Sequence, residues 1–229
     1  MKSIRPFRAP HHSGIDERFH QLDIGNIGTV MSWRMFFEMA QGLSGDVVEC
    51  GVGRARSLAI IAAINHLLLP EEGGGRRIFG YDSFRGFPEP TIEDASPRQP
   101  RKGDWARSPT GHYEYTAAFA REVLREAGVP DDAVTLTPGF FNETLPHHPD
   151  RPIVILHIDA DLYSSYRDAL ACLYPKVVSG GFVIFDDFLS EPDPQEKFPG
   201  ARRAVKEFFK DDVRNLRPSP SGGCYIVKP

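Results

Sequence analysis

Four aspartates that follow two apolar stretches are the strongest chemical signal in this sequence. Asp159 and Asp161 follow one stretch, and Asp186 and Asp187 follow the next. If the stretches are adjacent parallel strands, the four carboxylates meet at one edge of a sheet, where their repulsion requires a cation or bound protons. Such an all-oxygen site favours magnesium, manganese or calcium over zinc. Either pair alone could cap a helix or a turn, but together they favour a metal site.

A second signal is a glycine turn that follows an apolar run. Residues 47–53 read Val-Val-Glu-Cys-Gly-Val-Gly and include Glu49, Gly51 and Gly53. Glycines let the backbone approach a ligand, and the positive end of a following helix suits a carboxylate-bearing group. A dinucleotide-binding turn would need a small residue where Arg56 stands, so a nicotinamide oxidoreductase fits poorly. An acid two residues before the first glycine is typical of Rossmann-like enzymes that bind S-adenosylmethionine, and a plain strand-to-helix turn is the alternative.

A third signal is Asp82, which ends the apolar residues 78–82. A carboxylate at the end of the second strand can accept both hydroxyl protons of a ribose bound at the switch point of a sheet. Taken alone, such an aspartate is as often a helix or turn cap. Because it accompanies the glycine turn, we interpret Asp82 as a nucleoside contact.

Short apolar runs alternate with stretches of helical periodicity, and this alternation predicts the elements that position these residues. We expect an α/β fold in which right-handed helical crossovers join parallel strands and helices cover both faces of the sheet. The predicted strands are residues 47–51, 77–81, 133–137, 153–158 and 181–185, with a closing hairpin of 213–216 and 224–227. The predicted helices are residues 29–43, 56–69, 113–127, 162–173 and about 201–210.

Residues 85–111 interrupt this alternation with a stretch rich in proline, glycine and charge. A structureless loop of this length in a compact domain is usually functional or disordered. Because it follows a strand whose carboxyl end should line the ligand crevice, we predict a mobile lid over the substrate.

Composition narrows the class of protein. The chain has 229 residues, 41% of them hydrophobic, which is enough for one buried core. A formal net charge of -4 provides no basic surface for nucleic acid. No run approaches a membrane helix, and residues 1–14 lack the apolar middle of a secretory signal, so we expect a cytoplasmic protein with no membrane partner. Cys50, Cys172 and Cys224 are widely spaced and indicate reduced thiols.

Five ordered sequence blocks carry a resemblance to a known family. They are residues 45–52 (GDVVECGV), 81–88 (YDSFRGFP), 139–146 (GFFNETLP), 157–163 (HIDADLY) and 180–187 (GGFVIFDD). The chain resembles the TylF/MycF family of macrocin-type O-methyltransferases from about residue 29 onward. The resemblance implies a Rossmann-like class I methyltransferase with a mostly parallel seven-stranded sheet and an antiparallel C-terminal hairpin strand. It implies one methyltransferase domain over residues 29–229, a lid at about 85–111, and an N-terminal arm, residues 1–28, that helps to cover the substrate.

The resemblance also implies roles for individual residues. Asp159, Asp186 and Asp187 hold Mg²⁺ or Mn²⁺, and Asp161 is the general base. The residues implied to surround S-adenosylmethionine are Glu49, Gly51, Gly53, Ser57, Asp82, Ser83, Phe141 and Asp159. The acceptor is a hydroxyl of a small molecule, in this family typically a sugar of a natural product. The chain departs from the family at residues 53–57, Gly-Arg-Ala-Arg-Ser, where members often carry a Trp and a Gly-Gly pair.

Two other functions stay open at this point. A catechol-type O-methyltransferase shares the metal site, but it usually has a lysine base three residues after the first metal acid, where this chain has Leu162. A non-catalytic S-adenosylmethionine-binding protein would have no need of the four aspartates. We assign no catalytic role to the histidines, and we expect His157 to lie in the core. The sequence does not identify the acceptor or the position methylated, and a homo-oligomer stays open.

Overall fold

The computed structural model describes residues 24–68, 75–189 and 197–229. Most of the predicted N-terminal arm, residues 1–28, lies outside these ranges, so its expected role over the substrate stays a prediction. The first helix, α1 (Ile24–Met39), begins and ends earlier than the predicted residues 29–43. Helix α1 therefore begins within the predicted arm, and the domain boundary at residue 29 stays a prediction.

A seven-stranded sheet forms the centre of the fold, with the strand order β3-β2-β1-β4-β5-β7-β6. Strands β1 to β5 are parallel, β7 is antiparallel to β5, and β6 is antiparallel to β7. The strands are β1 (Asp46–Cys50), β2 (Ile78–Asp82), β3 (Val134–Pro138), β4 (Ile153–Ile158), β5 (Val177–Phe185), β6 (Arg217–Pro218) and β7 (Cys224–Val227). This arrangement confirms the predicted α/β fold with a mostly parallel sheet.

Helices cover both faces of the sheet, as predicted. After α1 come α2 (Arg56–Leu68), α3 (Ala117–Glu126), the single turn α4 (Phe141–Thr144), α5 (Tyr163–Leu173) and α6 (Pro199–Phe209). One buried cluster joins α1, α2 and α3 to one face, and a second joins α5 and α6 to the other. In the described ranges, no helix combines the length and the apolar character needed to cross a membrane.

The central strands bring the aspartates together. Every residue of β1 and β4 is buried, as expected for strands covered on both faces. In the parallel pair β4–β5, Ile158 lies opposite Phe185. Because both strands run in the same direction and end at this pair, Asp159 and Asp186 leave the sheet side by side.

The C-terminal hairpin differs from its prediction. Residues 213–216 were expected to form its first strand, but Lys210–Asn215 is a 3-10 helix, and only Arg217–Pro218 pairs with β7. Pro218 has no N–H to donate to a ladder, which limits the length of this strand. The predicted β7, Cys224–Val227, is correct.

The segment that joins β2 to α3, residues 83–116, contains more local structure than the sequence predicted. It includes the short 3-10 helix Ile92–Asp94 and a β-bridge between Arg107 and Glu114. The helix predicted from residue 113 begins only at Ala117, because Thr116 is extended and its Oγ1 accepts the N–H of Phe119 at 3.1 Å. We call residues 83–116 the β2–α3 segment.

Candidate active site

A cavity of about 1030 Å³ opens at the carboxyl ends of the parallel strands. Strands β1, β2, β4 and β5 all end at this edge of the sheet, where parallel α/β proteins bind their ligands. The predicted site residues that line it are Gly51, Gly53, Ser57, Asp82, Ser83, Phe141, Asp159, Asp161, Asp186 and Asp187. The structure thus brings together every predicted site residue except Glu49.

The glycine turn after β1 exposes its backbone to this cavity. Gly51 has a φ of 98°, and a side chain there would overlap the carbonyl oxygen of Asp159. Gly53 has a φ of 49° and faces open space. Both glycines therefore occupy the left-handed region that side chains disfavour, and the turn leaves room for a ligand to approach the main chain.

Asp82 fixes the same turn through hydrogen bonds. Its Oδ2 accepts the N–H of Val52 at 2.9 Å and that of Gly53 at 2.8 Å, and its Oδ1 accepts the N–H of Phe84 at 2.6 Å. Burial raises the pKa of Asp82, and these backbone N–H groups act in the opposite direction. Asp82 is thus a turn cap, which the sequence left open as an alternative, and it also lines the cavity.

Asp159, Asp186 and Asp187 form a compact group, which we call the three-aspartate cluster. One oxygen of each carboxylate lies within 4.8 Å of the others. Asp187 Oδ2 accepts the N–H of Asp161 at 2.8 Å and the hydroxyl of the buried Tyr166 at 2.9 Å. Burial and Asp186 raise the pKa of Asp187 to about 6. Burial, Asp186 and Asp187 raise the pKa of Asp159 well above its usual range.

Asp161 lies two residues after Asp159 and has a left-handed backbone conformation, with a φ of 60°. A non-glycine residue in this conformation is uncommon and is often associated with function. Burial raises the pKa of the Asp161 carboxyl, and the charges of Asp187 and Asp159 raise it further. Burial and these charges thus increase the proton affinity of the Asp161 carboxylate.

His157 is a cavity residue that the sequence analysis missed. It is 4% exposed, as the core prediction required, but its ring also lines the cavity. Its Nε2 lies 3.9 Å from Asp186 Oδ1, and its ring meets Trp33 edge-on at 5.1 Å between centroids. Burial lowers the pKa of His157, whereas the carboxylates of Asp186 and Glu49 raise it, with a net value of about 10.

Glu49 lies beside His157 on the neighbouring strand and does not line the cavity, so its expected place beside the cofactor stays a prediction. The two residues pair in register across β1 and β4, and Glu49 Oε1 is 3.0 Å from His157 Nδ1. Glu49 Oε2 is buried without a hydrogen-bond partner among the described residues. The sequence shows an acid in β1 and a histidine in β4, but only the register of the two strands shows that they pair.

Aromatic side chains form a second wall of the cavity, which the sequence did not identify. Phe87 and Trp105 come from the β2–α3 segment, and Phe198 precedes α6. We call these three residues the aromatic wall. The Arg98 guanidinium lies 5.0 Å from the centre of the Trp105 ring and 4.9 Å from that of Phe198. A cavity with carboxylates on one side and aromatic faces on the other suits a ligand with both hydroxyl and apolar parts.

Comparisons with known proteins agree with this geometry. The chain is 35% identical over 151 residues to an 8-demethyl-8-(2,3-dimethoxy-alpha-L-rhamnosyl)-tetracenomycin-C 4'-O-methyltransferase of Streptomyces olivaceus, covering 66% of this chain and 55% of that protein. It is 30% identical over 174 residues to a mycinamicin III 3''-O-methyltransferase of Micromonospora griseorubida, covering 74% and 62%. The matched region thus spans little more than half the length of these curated relatives.

Solved structures share the fold. The O-methyltransferase NovP superposes with a TM-score of 0.70 at 27% identity, covering 98% of this chain and 92% of that one. The calicheamicin methyltransferase CalS11 superposes with a TM-score of 0.75 at 24% identity, covering 94% and 86%, which supports the fold alone. The macrocin O-methyltransferase (TylF) family matches residues 36–215, which include the strand ends that line the cavity. The chain belongs to this family.

Proposed function

We propose that this chain is an O-methyltransferase that depends on S-adenosylmethionine and a divalent metal and acts on a hydroxyl of a small molecule, namely a sugar moiety of a natural product. One observation carries the proposal: the glycine turn, Asp161 and the three-aspartate cluster line a single cavity. The names of the relatives support the acceptor class, because both specify transfer to an oxygen and one names a rhamnosyl group.

The part of the cavity nearest β1 and β2 fits the methyl donor. Gly51 and Gly53 expose main chain there, and the N-terminus of α2 beside Ser57 favours the carboxylate of a methionine moiety. Asp82 ends β2, where a carboxylate can accept ribose hydroxyls, and Phe141 adds an apolar surface. S-adenosylmethionine bound in this part of the cavity would supply the methyl group.

The three-aspartate cluster fits a hard divalent cation. Its donors are all carboxylate oxygens within 4.8 Å of one another, and burial together with their mutual repulsion raises the pKa values of Asp159 and Asp187. Mg²⁺ or Mn²⁺ held there would supply positive charge that lowers the pKa of an acceptor hydroxyl.

The residues of the chain have separate tasks in the proposed reaction. Asp161 accepts the hydroxyl proton while the acceptor oxygen forms its bond to the methyl carbon and the bond from that carbon to sulfur breaks. The N–H of Asp161 and the hydroxyl of Tyr166 hold Asp187 in place. The aromatic wall holds the acceptor and excludes water, so that oxygen and methyl are kept aligned.

The experiment incubates the purified chain with deuterated-methyl S-adenosylmethionine, Mg²⁺ and a panel of acceptors analysed by mass spectrometry. The panel contains mycinamicin III, a plain catechol and demethyldecarbamoylnovobiocin, which appears in the name of an O-methyltransferase of Streptomyces niveus that is 33% identical to this chain over 157 residues. We expect one labelled methyl group on a glycosylated acceptor and a loss of product with EDTA. Methylation of the catechol alone would instead favour a catechol-type enzyme, although Leu162 is fully buried and leaves no base at that position. Cofactor binding without any product would indicate a non-catalytic binding protein.

A further inference from the structure

Asp94 is a buried carboxylate that the proposed chemistry does not use. It is 2% exposed and lies in the β2–α3 segment. Its Oδ2 accepts the backbone N–H of Thr91 at 2.8 Å and the hydroxyl of the same residue at 3.0 Å. Its Oδ1 accepts the N–H of Tyr163 at 2.7 Å, although the two residues are 69 positions apart. Asp94 therefore joins the segment to a distant part of the chain.

That distant part is the beginning of α5, which lacks a cap of its own. Leu162 occupies the N-cap position in an extended conformation, and its side chain makes no capping hydrogen bond. The first N–H groups of a helix need acceptors, and a carboxylate there also interacts favourably with the helix dipole. Asp94 supplies the acceptor for Tyr163 that the local sequence does not provide.

Helix α6 packs closely against the contact between Asp94 and Tyr163. Gly200 is buried, and a side chain at this position would overlap Asp94 Oδ1 and approach the Cβ of Tyr163. The neighbouring contacts connect the same elements, since Ser96 Oγ donates to the carbonyl of Lys197 at 3.0 Å and the ring of Phe87 meets that of Phe198 at 6.3 Å. The β2–α3 segment is thus attached to α5 and α6.

We propose that Asp94 is a positioning residue for methyl transfer, a proposal that rests on the proposed function. Its segment carries Phe87 and Trp105 of the aromatic wall, and the helix that it caps begins two residues after Asp161. The single carboxylate of Asp94 thus fixes the position of the aromatic wall relative to the turn that carries Asp161. An opening of the predicted lid must break the hydrogen bond between Asp94 and Tyr163.

Hydrogen–deuterium exchange tests this contact without an acceptor. Asp94→Ala should accelerate exchange at the Tyr163 amide by about tenfold, because this N–H loses its acceptor, and the first turn of α5 should exchange faster as the helix end loosens. Gly200→Ala should reproduce the effect from the opposite side, although glycine to alanine within a helix normally stabilises it. Asp104→Asn is the matched control, since Asp104 accepts the N–H of Arg101 at 3.0 Å in the same segment. Unchanged exchange at Tyr163 in Asp94→Ala would overturn the proposal.

Kinetics with demethyldecarbamoylnovobiocin separate positioning from general stability. In Asp94→Ala we expect kcat to fall at least tenfold, whereas the affinity for S-adenosylhomocysteine measured by calorimetry should change less than about twofold. Asp94→Asn should recover much of kcat, because an amide oxygen can still accept from Tyr163. Equal losses of kcat and cofactor affinity in both variants would overturn the positioning role. A wild-type chain that binds S-adenosylhomocysteine but methylates no acceptor refutes the proposed function, while amide exchange still decides whether Asp94 holds wall and turn together.

Discussion

Binding of a divalent metal to the three-aspartate cluster should release protons, and the structure gives the scale of the effect. At a spacing of 4.8 Å, two unit charges in a partly buried site repel by about 3.5 kcal/mol. Because the pKa of Asp187 is about 6 in the metal-free protein, half of its carboxyls carry a proton near that pH. Mg²⁺ should therefore displace about half a proton from Asp187 alone at that pH, and Asp159 should add to this number.

The same linkage sets the direction of the pH effect on stability. A carboxyl whose pKa is raised by folding stabilises the protein fully below its unfolded pKa, near 4, and loses this contribution as pH rises through the folded value of about 6. The metal-free protein should thus lose this part of its stability across that window. Mg²⁺ should reverse the loss, because it binds the ionised form.

Calorimetric titration of Mg²⁺ in two buffers of different protonation enthalpy measures the protons released. At 100 times the dissociation constant, Mg²⁺ should add about 2.7 kcal/mol of stability, which is roughly 5 to 10 °C in unfolding temperature for a chain of this size. Asp187→Asn should abolish both effects, and Asp132→Asn, at an exposed surface position, should change neither. Equal heats in the two buffers near pH 6, or equal stabilisation of Asp187→Asn, would refute the reasoning.

Three further predictions concern single residues. Asp161→Asn should lower turnover by about two to four orders of magnitude with metal and cofactor affinities nearly unchanged, and loss of metal affinity in titrations would make Asp161 a ligand instead. Asp82→Ala should weaken S-adenosylmethionine binding at least about tenfold in calorimetry and destabilise the fold by about 1 to 3 kcal/mol, because three backbone N–H groups lose their acceptor. Burial lowers the pKa of His148, which is 2.7 Å from the Tyr81 hydroxyl, so stability should fall as pH drops below about 6.5. His148→Gln cannot titrate and should flatten that part of the unfolding curve, whereas an unchanged pH dependence would exclude His148 as its source.

The sequence predicted the sheet because its signals are local. The predicted bounds of β4 were correct at both ends, since a mostly apolar run followed by Asp159 indicates a buried parallel strand and its carboxyl end. The hairpin strand at residues 213–216 was wrong because four residues of mixed character carry little information about strand or 3-10 helix. The local pattern also did not show that Pro218, which has no N–H, would limit the pairing of this strand with β7.

Within the site, the sequence found the residues that follow strands and missed those that depend on tertiary pairing. Asp82 and the four aspartates stand at strand ends, where type and position together indicate chemistry. His157 was assigned to the core because nothing local shows that Glu49, 108 positions earlier, lies beside it. Asp94 likewise gave no signal, because the helix that it caps begins 69 positions later.

The close approach of Gly51 to the carbonyl of Asp159 means that the backbone forms one part of the cavity lining, whereas side chains form other parts. Here the ends of β1 and β4 touch main chain to main chain, with no side chain between them. The distance between the glycine turn and Asp159 is therefore set by the backbone. Other parts of the lining consist of side chains such as Trp105 and Phe198, whose replacement would change the shape of the cavity there. If the proposed function holds, an engineered change of acceptor should begin at the aromatic wall and leave the glycine turn as it is.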